Sequence, residues 1–124
     1  MSDVVTLKLT LPLHQSLNEI LQAIGDPEVI AASALRHYLL DTCLQRIEKA
    51  KRAISEYEQE YGLDYEAFNL RIGSDESFLE TTNRNHPTWE ADAIEWLYRI
   101  EEAQTWQERS QKILRESWPW PVQR

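Results

Sequence analysis

Along the chain the spacing of apolar positions changes once, from two to three and four, and that change divides the sequence. Val4-Val5-Thr6-Leu7-Lys8-Leu9-Thr10-Leu11-Pro12 is the only strong period-two stretch, and everything after it reads as helix or loop. A lone extended segment leaves its backbone N–H and C=O groups unpaired, and no second strand candidate follows to satisfy them. The expected partner is the same segment of another copy, which makes the protein a homodimer joined by an intermolecular two-stranded antiparallel ribbon. In that ribbon Val5, Leu7, Leu9 and Leu11 turn inward, while Thr6, Lys8 and Thr10 line the solvent face. A ribbon of this width can enter the major groove of DNA, where threonine hydroxyls and a lysine reach base edges.

After Pro12 the apolar positions Leu13, Leu17, Ile20, Leu21 and Ile24 recur at helical spacing and stop at Gly25, a residue suited to a left-handed helix end. Asp26 then reads as an N-cap, Pro27 as the first helical residue and Glu28 as a first-turn acid. In this second helix Ile30, Ala34 and Tyr38, with Leu35, Leu39 and Leu40, would cover the ribbon and the partner's helices. No Gly or Pro interrupts residues 28–61, which predicts a helix of about 34 residues and roughly 50 Å. From Cys43 the positions Ile47, Ala50, Ile54, Tyr57 and Tyr61 alternate steps of four and three, a coiled-coil-like seam. The charged residues on its other faces read as a solvated surface.

Gly62 ends that helix, and Asp64 caps a short one with Tyr65, Phe68 and Leu70 as its apolar face. The stretch from Gly73 to Pro87, rich in Gly, Ser, Thr, Asn and acid, reads as a linker. A last helix is expected over residues 88–116, with Thr88 as cap and a stripe of Trp89, Ala93, Trp96, Leu97, Ile100, Ala103, Ile113 and Leu114. Glu95 and Arg99 stand at i, i+4 in it, and Trp118-Pro119-Trp120-Pro121 closes the sequence as an extended tail. The predicted fold class is therefore mainly α, with one short strand per chain.

Composition narrows the function. At 124 residues and 27% charged, the chain suits one modest domain plus an appendage rather than a large substrate-enclosing core. A net charge of -8 argues against general nucleic-acid binding and for a basic protein partner. Even residues 1–44 are acidic, with Lys8 and Arg36 set against Asp3, Glu19, Asp26, Glu28 and Asp41. The single Cys43 cannot form an internal disulfide and reads as a small buried hydrophobe in a reducing cytoplasm. The start Met1-Ser2-Asp3 carries no secretory pattern and no run of 18 apolar residues occurs, so neither secretion nor membrane insertion is expected. Three His without a cysteine pair leave no recognisable metal spacing, and no cofactor is expected.

The order strand, Leu11-Pro12, helix, Gly25, helix through Ala34-Leu35-Arg36-His37-Tyr38-Leu39 resembles the ribbon-helix-helix family of dimeric prokaryotic DNA-binding proteins over residues 4–42. Tyr57-Glu58-Gln59-Glu60-Tyr61-Gly62-Leu63-Asp64-Tyr65-Glu66-Ala67-Phe68 is similar to the segment behind that module in antitoxins of type II toxin-antitoxin systems. Trp89-Glu90-Ala91-Asp92-Ala93-Ile94-Glu95-Trp96 looks like the acidic, tryptophan-bearing helix that closes them. The resemblance implies residues 1–44 as a dimerisation and DNA-binding domain and residues 45–124 as a helical toxin-binding extension. It implies operator contact through Thr6, Lys8 and Thr10. Capture of a cognate toxin would fall to Tyr57, Tyr61, Tyr65, Phe68, Trp89, Trp96 and Trp106. The chain departs from the pattern at Asp26-Pro27-Glu28, which sets carboxylates where relatives offer Ser, Arg or Lys to a phosphate.

Other readings stand beside this one. Trp89, Trp96 and Trp106 fit the core of a small helical subdomain as well as an interface. A chain this short cannot easily bury five Trp and five Tyr alone, which favours an interface covered by a partner and a segment 63–116 that folds on binding. His86, Glu90, Asp92 and Glu95 are first-turn acids and a single His rather than a catalytic or metal set. Ser33, His37 and Asp41 decorate one side of a rigid helix. Catalysis is not expected. The alternative function is a dimeric adaptor or regulator that keeps the ribbon for assembly without a toxin partner or DNA contact.

Overall fold

The computed structural model describes residues 5–8 and 10–116, so Val4, Leu9 and the Trp118–Pro121 tail lie outside the described residues. Five helices follow one another: α1 Gln15–Ile24, α2 Pro27–Tyr61, α3 Tyr65–Ser74, α4 Glu76–Asn85 and α5 Trp89–Arg115. The fold is mainly α, and among the described residues there is no strand. Residues 5–8 and 10–14 form no regular element in the single chain. No described helix is long and apolar enough to cross a membrane.

Local chemistry sets the helix ends. His14 caps α1 by accepting from the Ser16 N–H through Nδ1 at 3.2 Å. At its other end Gly25 lies at φ 168°, in extended backbone open to any residue, so the left-handed stop expected there is not formed. The Asp26 carboxylate accepts from the Glu28 N–H at 3.0 Å with Pro27 in the first turn, and Gly62 ends α2 at φ 74°, where a side chain would be strained. At 35 residues and 1.5 Å per residue, α2 is roughly 52 Å long.

The expected seam is the core. Cys43, Ile47 and Ala50 are buried, and they face Trp96, Ala103 and Ser110, which recur every seven residues on α5. The two helices run antiparallel. Tyr61 reaches Asp92 at one end, and at the other the Arg36 guanidinium donates to the Ile113 carbonyl at 3.3 Å, a cation set against the carbonyl end of α5. On α5 Leu97 and Leu114 are exposed rather than part of the inner stripe, because they drift off the seven-residue row. Thr88 stands at the cap position without a side-chain bond.

The linker expected from Gly73 to Pro87 is instead mostly helix. Asp75 explains it by serving two helices: its N–H donates to the Arg71 carbonyl at 2.9 Å, and its carboxylate accepts from the Phe78 N–H at 3.1 Å. The inner face of α4 is Phe78, Leu79 and the buried Thr82, so a threonine holds a core position that composition alone reads as loop. On α3 Phe68 is buried with Tyr65 and Ile72 beside it, whereas Leu70, 70% exposed, points away from the face assigned to it. Two positions along a helix is about 200°, enough to turn Leu70 to the opposite side.

Candidate functional site

The sequence-predicted partner residues converge, but inward. Trp96 sits at the centre of a ring cluster, 5.6 Å from Tyr57, 5.7 Å from Tyr61, 5.4 Å from Tyr65 and 5.5 Å from Phe68. Trp89 meets Phe68 at 6.1 Å and donates its Nε1–H to Asn83 Oδ1 at 2.7 Å. Trp96 and Phe68 are sealed, at 0% and 1% exposure, so neither ring is presented to a partner in this state. The cluster is thus the core of a helical subdomain joining α2, α3 and α5, and segment 63–116 is packed helix in the single chain. Trp106 stands apart, with the Arg46 guanidinium 4.9 Å and that of Arg109 4.5 Å from its ring centre.

Polar groups frame the cluster. The Tyr61 hydroxyl donates to Asp92 Oδ2 at 2.6 Å; burial, then that bond and its negative charge, push the phenol well above its ordinary range. Burial raises Tyr57 as well, reinforced by Glu95 and Asp92. The Tyr61 phenol therefore keeps the proton that it donates to Asp92. His86 approaches Glu60 at 3.2 Å and lies tilted against the Tyr61 ring, 4.6 Å between ring centres. The groups that could suggest catalysis are occupied separately: His37 Nδ1 lies against the Ser33 carbonyl at 3.0 Å, Asp41 accepts from Gln45 at 3.0 Å, and Glu95 binds Arg99 at 3.2 Å. Among the described residues no group of three or more His, Cys, Asp and Glu could hold a metal ion.

Two surfaces remain open. One is the amino-terminal part: α1 buries none of its residues, α2 buries none before Cys43, and Val5, Leu7, Leu17, Ile20, Tyr38 and Leu39 are among the large apolar side chains left exposed. Thr6, Lys8 and Thr10 are exposed there too. The other surface is the outer side of α5, where Ile94, Leu97 and Tyr98 are 74%, 38% and 56% exposed. Sequence reasoning missed this trio because Trp96 drew the stripe to the opposite side. The i, i+3, i+4 step from Ile94 was the signal that could have found it.

Compared with known proteins, the chain matches no family model, and no curated protein or solved structure is significantly similar to it.

Proposed function

We propose that the chain is a homodimeric antitoxin of ribbon-helix-helix type, which neutralises a cognate toxin through its carboxy-terminal helices and represses its own operon through its amino-terminal ribbon. One observation carries the reading: residues 43–110 close a core of their own, while the described residues before them display apolar side chains and bury none. A module that hydrophobic and that open is half of an assembly. Pairing two copies through residues 4–11 would satisfy the backbone of both segments and turn Val5, Leu7, Leu9 and Leu11 against the exposed apolar sides of α1 and early α2. Thr6, Lys8 and Thr10 would then face outward on the ribbon toward operator DNA.

The charge distribution shapes the mechanism. Residues 1–44 carry a net charge of -3, from two cations against five acids, so phosphate attraction is weak and toxin binding would supply the missing operator affinity as a corepressor. Genomic context and co-expression test the reading: an adjacent small gene that arrests growth alone and is relieved by this chain supports it, and a harmless neighbour counts against it. Sedimentation at micromolar concentration should give a dimer. The same acidity favours a second reading, a dimeric adaptor that retains the ribbon for assembly only. Operator gel shifts separate the two. Lys8→Ala should flatten the salt dependence by about two charges per dimer if each lysine meets a phosphate. The absence of a shift with or without the partner leaves the adaptor.

A further inference from the structure

We infer that the outer face of α5, the ridge Ile94–Leu97–Tyr98, is a docking surface for a basic amphipathic helix of a partner protein; the inference rests on the proposed neutralising role and names its contact site. Ile94 and Tyr98 are 74% and 56% exposed, and Leu97 at their edge is 38% exposed. The inner face of α5 is already supplied by Trp96, Ile100, Ala103 and Ser110, and the trio projects from one turn on the opposite side. Single exposed apolar residues are common on protein surfaces, but three adjoining ones on a helix whose core is complete form a continuous strip.

Charge decides what covers the strip. Between residues 89 and 108 there are six acids, Glu90, Asp92, Glu95, Glu101, Glu102 and Glu108, against one base, Arg99. That base is engaged with Glu102 at 3.0 Å and Glu95 at 3.2 Å. Helical geometry sets Glu90 one turn before the trio and Glu101 one turn after it on the same face, with Glu95 and Glu102 along its Tyr98 side. An apolar patch with acids at both ends and along one side repels nucleic acid and anionic lipid, and it repels a second copy of itself. Its complement is a turn of apolar side chains with lysines and arginines around it. A convex ridge of this kind packs into the groove between side-chain rows of another helix.

The test uses the full chain and a synthetic helical peptide of about 18 residues, long enough to hold helix, with leucines at i, i+3, i+4 and i+7 and lysines elsewhere. Its control carries glutamate for lysine. The lysine peptide should bind and shift the backbone amide resonances of residues 94–101, and its affinity should fall with added salt; the glutamate peptide should not bind. The double variant Ile94→Gln, Tyr98→Gln should weaken binding by about tenfold or more, whereas Leu70→Gln should leave it unchanged. Glu90→Gln with Glu101→Gln, which keeps the apolar strip, should weaken binding and flatten the salt dependence. Equal binding by the double variant, resonance shifts confined to residues 5–44, or a change in oligomeric state on losing Ile94 and Tyr98 would each overturn the assignment. A toxin still neutralised by the double variant would refute this face and leave the antitoxin reading standing. Peptide binding at the ridge with no toxin to neutralise would do the reverse.

Discussion

Replacing Trp96 with alanine tests whether the ring cluster is core. The side chain is wholly buried and touches four aromatic rings with centres 5.4 to 5.7 Å away. Burying the roughly 150 to 250 Å² of a tryptophan at about 25 cal/mol per Å² is worth about 4 to 6 kcal/mol, and alanine in its place leaves a void as well. Its Nε1–H, however, is buried without a hydrogen-bond acceptor, which costs the native protein about 1 to 3 kcal/mol. Phenylalanine keeps most of the ring contacts and removes that orphan donor. Trp96→Ala should therefore lose about 3 to 5 kcal/mol, and Trp96→Phe should stay within about 1 kcal/mol of the native protein. Urea unfolding followed by far-ultraviolet circular dichroism, at one fixed protein concentration, reads both. At a slope of about 2 kcal/mol per molar, the alanine midpoint falls by roughly 2 M. Equal losses for the two variants would refute the compensation argument. An alanine variant within 1 kcal/mol of native would refute the core assignment itself.

Glycines offer a paired control: Gly62→Ala should cost about 1 kcal/mol because φ is 74°, whereas Gly25→Ala should be near neutral, since its added Cβ meets only Ile30 Cδ1 at 3.7 Å. Both are read from thermal midpoints. For the Tyr61–Asp92 bond, a double-mutant cycle of Tyr61→Phe and Asp92→Asn should return a coupling of about 1 kcal/mol, the range for a charged acceptor discounted for partial exposure. A coupling near zero would mean the 2.6 Å contact contributes nothing to stability. Asp75 is held below its ordinary 3.8, first by the bond from the Phe78 N–H and then by Arg71. A depressed carboxyl stabilises the fold fully above its unfolded value and loses that contribution as pH falls below 3.8 toward its folded value. Asp75→Asn keeps a cap and should flatten the acid limb of the stability curve below about pH 4.

Legibility tracked how far each signal depends on neighbours in the chain. α2 was readable from Asp26-Pro27 to Gly62 because its caps and its uninterrupted run are local facts, and the alternating seam from Cys43 to Tyr61 marked its buried side. α4 was hidden because its inner face uses Thr82 where a strong pattern would have an aliphatic residue, and because Asp75 caps a helix directly after ending another. Leu70 and Leu97 were misplaced for a related reason: an apolar residue near a core position was credited to the core, although the helical step turned it outward. The ring cluster was found as a set of residues, but tertiary packing decides whether such a set faces inward. Trp96 could be judged only once Tyr57, Tyr65 and Phe68 were seen around it.

One unbroken rod carries the exposed apolar residues on its opening turns and the buried seam from Cys43 on its later ones, with no hinge between them. No proline or glycine interrupts α2 after Pro27 to absorb rotation, and Arg36 on that rod holds the Ile113 carbonyl at the far end of α5. Any rotation of the amino-terminal segment against the packed core has to bend or twist α2 itself.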